Sequence, residues 1–237
     1  MLFRSQGVLE ILQIPYTHSG VLASAIAMDK PMSRHVFTSI GIRVAEGKVV
    51  ERRSLAQGDP MPRPYVVKPI DQGSSVGVHI VREGDNLAAV EHAEAQFGEK
   101  VLVEKFVPGR ELTVAVMDDK AVAVTELRPR TKFYDYEAKY TDGITEHLVP
   151  APIPAEVYEQ ARAWALKAHQ ALGCNGLTRT DLRWDDSRKG TEGLHVLEIN
   201  TQPGMTPLSL APEQAKWAGI SWSELMNWMV EHARRPS

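Results

Sequence analysis

The chain has 237 residues, 43% of them hydrophobic and 24% charged, with a formal net charge of −3. That is enough length and apolar content for a buried core, in one large domain or two small ones. It leaves no electrostatic footprint for nucleic acid or an anionic membrane, no partner for its single cysteine, and no apolar run near the roughly 18 residues that cross a bilayer.

Met1-Leu2-Phe3-Arg4-Ser5 is followed by no apolar h-region, so no signal peptide is expected and the chain reads as cytoplasmic. Gly7 to Gln13 reads as a short helix remnant and Pro15 to Gly20 as a turn. Val21 to Met28 is helical, and Ser33 to Ile40 is a second helix stopped by Gly41. Ile42 to Val50 has strand character, and the Gly- and Pro-bearing segment Arg53 to Arg63 reads as a surface connection. Tyr65 to Pro69 is a β-rich run with Val76 to Val81 as its hairpin partner. Asn86 to Phe97 has helical spacing at Leu87 and Val90, with Gly98 as cap, and Val101 to Phe106 is a strand. Glu111 to Met117 and Ala121 to Leu127 form a hairpin turning at Asp118-Asp119-Lys120. A polar stretch, Arg128 to Glu146, lacks periodicity but carries aromatics, which argues for function rather than plain disorder. Ala155 to Leu172 shows a stripe of Val157, Ala161, Trp164, Ala168 and Leu172, capped by Gly173. Cys174 beside it reads as a packed core thiol. Two alternating runs follow, Leu177 to Leu182 and Leu194 to Leu197, and a last helix from Ser221 carries a capping box with Glu224. Strands, helices and hairpins in this order indicate an α+β protein with mainly antiparallel sheets.

The chemistry is densest at Glu198-Ile199-Asn200-Thr201-Gln202-Pro203-Gly204-Met205. Alternation along a strand puts Glu198 and Asn200 on one face, and both offer hard oxygens suited to Mg²⁺. If the two runs pair as a hairpin, Asp181 joins them, with Arg179 on the same face as Asp181. A solvated polar pair is the plain alternative. Lys68-Pro69 leads into Gly73-Ser74-Ser75-Val76-Gly77, where small residues let backbone N–H groups approach an anion; an ordinary hairpin loop is the alternative. Glu104 and Lys105 end a strand near Glu111, suited to a purine edge and ribose hydroxyls or simply to solvent. Lys30 is either a phosphate-directed cation or a surface lysine. Phe133-Tyr134-Asp135-Tyr136-Glu137-Ala138-Lys139-Tyr140 suits a lid over a charged substrate or a packing loop.

Taken together, these segments resemble the D-alanine–D-alanine ligases of the ATP-grasp superfamily. The carriers stand in family order: Tyr16-Thr17-x-Ser19-Gly20, Met28-Asp29-Lys30, Val67-Lys68-Pro69 with the Gly73–Gly77 loop, Glu104-Lys105-Phe106, and the Phe133–Tyr140 run. Arg179-x-Asp181 and Glu198-x-Asn200-x-x-Pro203-Gly204-Met205-Thr206 complete the series. The resemblance implies the ATP-grasp fold, two α+β subdomains clasping ATP. Residues 1–20 would be a remnant of the family's N-terminal α/β domain, 21–107 the central subdomain, and 108–237 the C-terminal one with a lid loop at 128–146. It implies Lys30 and Lys68 on ATP phosphates, Ser74 and Ser75 covering them, Glu104, Lys105 and Val107 near adenine, and Glu111 on the ribose. Asp181, Glu198 and Asn200 would hold two Mg²⁺ ions, with Mn²⁺ as an alternative. Lys139 would meet the γ-phosphate, and Arg179 with the Gly204 N–H would form an oxyanion site. Tyr140, Ser209 and Leu210 would contact D-alanine. The implied reaction joins two D-alanines through an acyl phosphate, for peptidoglycan precursors.

One departure from the family pattern is that Met1 to Ser5 stand where the N-terminal domain is expected. Val8, Leu9, Ile11, Leu12 and Ile14 would then lose cover, leaving an apolar patch or an oligomer contact such as a homodimer. A Mg-ATP-binding fragment with little ligase activity, and an ATP-grasp ligase for another amino-acid pair, remain the alternatives.

Overall fold

The computed structural model describes residues 2–73, 76–129, 145–206 and 208–234. Helices α1 (Leu2–Ile11), α2 (Val21–Met28) and α3 (Lys30–Ser39) come first. α3 begins three residues before its expected start. Asp29 is extended and its carboxylate accepts from the Met32 N–H at 2.9 Å, while Pro31 suits the first turn. Of the apolar residues expected to lose cover, Val8, Ile11, Leu12 and Ile14 are exposed and Leu9 is half-buried.

The first sheet holds β1 (Gly47–Glu51), β2 (Tyr65–Pro69), β3 (His79–Val81) and β4 (Lys100–Lys105) in the order β1-β4-β2-β3, all antiparallel. Leu55, Tyr65, Val67, Val81, Val101 and Val103 form its core, with Leu87 and Val90 of α4 (Leu87–Glu94) packed against them. The strand expected from Ile42 is shorter. Val44 instead bridges Val196, and Arg43 O accepts from Val196 N at 2.9 Å, so residues 43–44 are tied to the other sheet.

The second sheet runs β7-β6-β5-β8-β9 and is antiparallel throughout. Its strands are β5 (Arg110–Met117), β6 (Lys120–Pro129), β7 (Thr145–Leu148), β8 (Leu177–Trp184) and β9 (Leu194–Asn200). The polar stretch thus contributes strand at both ends, and its middle lies outside the described residues. One face packs on α5 (Ala155–Ala171), whose Val157, Ala161, Ala165 and Ala168 are fully buried beside Leu112, Val114 and Leu182. Each fully buried Val or Leu contributes about 1.5–3 kcal/mol. Trp164, expected in this stripe, is only partly buried and lies beneath Arg43, 5.7 Å from guanidinium to ring. Ala23, Ala27, Phe37 and Ile42 join the same core, so α2 and α3 are seated on the second sheet.

Against the opposite face lie α6 (Leu210–Trp217) and α7 (Trp222–Glu231), through Ala211, Trp228 and Met229. The capping box of α7 is formed, with Glu224 N donating to Ser221 Oγ at 3.2 Å and Ser221 N to Glu224 Oε2 at 2.7 Å. α6 was not legible in the sequence because Pro212 interrupts it; proline is tolerated there because it falls in the first turn, where its missing N–H has no helical partner.

Candidate active site

Two neighbouring strands build the floor. In the β8–β9 pairing Arg179 faces Asn200 and Asp181 faces Glu198, the expected hairpin. Between Asp181 and Leu182 the register shifts by one, so Leu182 pairs with Val196. The extra residue brings Leu197 and Glu198, neighbours in sequence, to the wall of one and the same narrow space.

Asp181 is 8% exposed, and its oxygens are held on three sides. Oδ1 accepts from Arg179 Nε and from Thr113 Oγ1, each at 2.8 Å, and Oδ2 accepts from Arg179 Nη2 at 2.8 Å. Lys30 is buried at the start of α3. Its ammonium lies 3.4 Å from Glu198 and donates to the Gln72 carbonyl, which ties the loop after β2 to β9. Glu104 is 3% exposed and is gripped by Lys68 from β2 and Arg34 from α3. Two cations and close hydrogen bonds make burial of that carboxylate tolerable. Glu111 pairs with Arg183 at 3.4 Å.

These groups surround two connected spaces. A narrow slot of about 90 Å³ has Ala45, Val66, Phe106, Val107 and Leu197 among its walls. A wide cleft of about 660 Å³ is lined by Arg179, Asn200, Gly204, Thr206, Ser209 and Leu210, among others. Lys30, Gln72, Asp181 and Glu198 line both, so the spaces meet at one junction of paired charge. In the wide cleft Ser209 Oγ accepts from Thr206 N at 2.9 Å, and Asn200 Oδ1 accepts from Gln202 N at 3.0 Å. A Cβ on Gly204 would sit 2.9 Å from Ser209 Oγ, so a larger residue there would push the Ser209 hydroxyl out of its place.

Among the expected site residues, Lys30, Lys68, Glu104, Lys105, Val107, Glu111, Asp181 and Glu198 line the slot. Arg179, Asn200, Gly204, Ser209 and Leu210 line the cleft. Ser74, Ser75, Lys139 and Tyr140 lie outside the described residues. Sequence reading missed Arg34, Thr113, Arg183 and Gln214. Arg34 stands one helical turn beyond Lys30, and Arg183 continues the alternation Arg179-x-Asp181, so both left a periodic signal. Gln214 left none. Its side chain is buried and bonds the backbone of β5 at Ala115 N (2.7 Å) and Thr113 O (3.1 Å), beside the register shift between Val114 and Val116.

Asp181 and Glu198 at the junction, with Asn200 in the cleft, offer two carboxylates and an amide oxygen, all hard donors suited to a divalent cation. Among the described residues no group of three or more His, Cys, Asp or Glu is arranged to hold a metal ion. Burial pushes the Cys174 thiol up to about 11, and Cys174 lines neither space. Burial also depresses His18, His169 and His195, and none of these lines either space. No described helix is long and apolar enough to cross a membrane.

The family described as D-ala D-ala ligase C-terminus matches residues 36–231. A D-alanine–D-alanine ligase of Granulibacter bethesdensis is 53% identical over 228 residues, covering 96% of this chain and 74% of that protein. The corresponding protein of Gluconobacter oxydans is 55% identical over 230 residues, with 96% and 75% covered. The crystal structure of D-alanine–D-alanine ligase from Bacillus anthracis complexed with ATP superposes with a TM-score of 0.78 at 32% identity, covering 97% of this chain and 74% of that one.

Proposed function

The chain belongs to the D-alanine–D-alanine ligase family, and we propose that its two connected spaces divide the family's ATP-dependent reaction between them. The observation that carries this reading is the junction where Lys30, Asp181 and Glu198 line slot and cleft at once. The slot takes the adenosine, with apolar walls for the base, the strand end at Glu104 to Val107 along its edge, and Glu111 for the ribose. Lys30 and Lys68 meet the phosphates. On this reading the jaws are segments 21–107 and 108–237, with α2 and α3 of the first seated on the core of the second.

The reaction needs ATP and a divalent cation. Asp181, Glu198 and Asn200 would hold two Mg²⁺ ions, which neutralise charge on the transferred phosphoryl group when bound. In the cleft, the carboxylate oxygen of one D-alanine attacks the γ-phosphorus, ADP leaves, and an acyl phosphate forms. The neutral amine of the second D-alanine attacks the acyl carbon, and phosphate leaves as the peptide bond closes. Arg179 and the Gly204 N–H stabilise the tetrahedral oxyanion, because charge develops there only in the transition state. Ser209 and the adjoining Leu210 at the start of α6 receive the second carboxylate. The family resemblance assigns Ser74, Ser75 and Lys139 to the phosphates and Tyr140 to D-alanine. A reaction fed by ATP and supplying peptidoglycan precursors belongs in the cytoplasm.

The test is phosphate release from Mg-ATP with D-alanine against L-alanine, D-serine and D-lactate, alongside calorimetry of Mg-ATP. D-alanine-dependent release with formation of D-alanyl-D-alanine is expected. Intact Mg-ATP binding without D-alanine-dependent release refutes the ligase reading.

A further inference from the structure

Arg183 is the one charged group of the slot for which the catalytic reading has no use. It projects from β8, in the second sheet, two residues beyond Asp181. Its nitrogens reach the segment that leaves the first sheet and Glu111, its direct partner on the neighbouring strand β5. Nε donates to Val107 O at 3.1 Å and Nη2 to Gly109 O at 3.0 Å, while Nη1 meets Glu111 Oε2 at 3.4 Å. The guanidinium also lies over the Phe106 ring, 5.6 Å from its centroid. Residues 106–109 are the whole connection between β4 and β5, so one side chain fastens the exit of the first sheet to the second. The backbone there has little freedom to move away. Gly109 has φ +86°, and a Cβ on it would collide with the Trp184 carbonyl, so the turn is held against the residue following Arg183.

This linker and Glu111 are the two elements that the nucleotide reading assigns to the base edge and the ribose. Both Arg183 and Glu111 are largely shielded from solvent, with side-chain exposures of 15% and 14%. We propose that Arg183 is a positioning residue for the nucleotide. By holding the Val107 and Gly109 carbonyls and the Glu111 carboxylate with one rigid fork, it sets the spacing at which base and ribose of one nucleotide are read together. A lysine could supply the charge but not the fork, because its donors radiate from a single nitrogen.

The inference rests on the nucleotide reading of the slot, and the experiment separates the two. Calorimetry compares Mg-ATP with its 2′-deoxy and 3′-deoxy analogues on wild type, Arg183→Ala, Arg183→Lys and Glu111→Gln, with melting temperatures recorded for each. Wild type is expected to prefer ATP over the analogue lacking the recognised hydroxyl by about tenfold, the order of one hydrogen bond to a charged group. Glu111→Gln and Arg183→Ala should both erase that preference. Arg183→Lys should recover part of the ATP affinity but not the preference. If Arg183→Ala fails to fold, Arg183→Lys decides alone, and retention of the preference in that variant overturns the proposal. A merely structural arginine would weaken ATP and its analogues equally, and that outcome also overturns it. Absence of any preference in wild type, or its survival in Glu111→Gln, removes the ribose role of Glu111 and the proposal with it.

Discussion

The slot and the cleft share four residues but are built in opposite ways. The slot lies between two sheets, and its charges are paired between residues far apart in sequence, Glu104 with Lys68 on the neighbouring strand and with Arg34 of α3, and Glu111 with Arg183 directly opposite it on β8. The cleft is lined mainly by one hairpin, its exit turn and the start of α6; Asn200 and Ser209 are satisfied within a few residues, by Gln202 and Thr206, and Thr201 of this turn reaches far along the chain, to Ser24 at 3.1 Å. A pocket held by long-range ion pairs selects by fixed shape and is coupled to global stability. One held by local turns selects through individual side chains and can be altered without disturbing the fold. The two halves should therefore fail differently.

The largest effect is expected from Glu104→Ala, which strands Arg34 and Lys68 without their shared carboxylate. Loss of one partner from a buried charge cluster costs about 3–5 kcal/mol. The unfolding free energy from urea titration should fall by that order, with nucleotide affinity falling alongside and Glu104→Gln losing less. Unchanged stability would break the comparison at its first term.

Asp181→Asn acts at the shared junction and should damage both halves. Groups one shell beyond a metal ligand typically cost 10–100-fold in metal affinity or activity, so loss of this ligand should lower turnover by at least about 100-fold. Titration with Mg²⁺ at saturating ATP checks it, and a normal half-saturation point would exclude Asp181 as a ligand.

Gly204→Ala sharpens the contrast from the other side. Its methyl group presses on Ser209 Oγ, 2.9 Å away, and on nothing in the slot. The KM for D-alanine should rise about tenfold, inside the hundredfold that a 1 Å misplacement costs, while the Kd for Mg-ATP stays unchanged. Equal loss of both affinities would show that the cleft is not locally built.

The smallest effect concerns neither half. His169 is buried and its Nδ1 lies 2.8 Å from Thr178 Oγ1; burial depresses its pKa below the ordinary 6.5. The folded state therefore keeps this ring neutral at pH values where the unfolded chain binds a proton. The stability tied to the neutral ring is present above about pH 6.5 and is lost as pH falls through the folded-state value. Melting temperature should decline gently from pH 7.5 to 5.5, and His169→Gln should flatten that slope without changing nucleotide affinity.

Legibility follows the same division. Glu198, Asn200, Asp181 and Arg179 were readable because strand alternation and a hairpin are short-range, and the observed register agrees with them. The capping box of α7 was readable for the same reason. Leu197 was not expected in the slot, because strict alternation turns it away and only the register shift beside Asp181 brings it round. Glu104 was readable as a strand-end carboxylate. Its enclosure by α3 and β2 was not, since a local pattern carries no information about which distant cations fold over it.

The sequence by itself determined the α+β class, most strands and helices, the metal-suited hairpin and, through ordered motifs, the ligase family. These depend on backbone periodicity, turn chemistry and residue type, all encoded within a few positions. Only the tertiary structure decided which distant residues pair as charges in the slot, that α2 and α3 sit on the second core, and that Arg183 bolts the linker between the two sheets. Those facts depend on sheet order and packing, where free energy is shared among residues far apart in the chain and no local pattern can record the outcome.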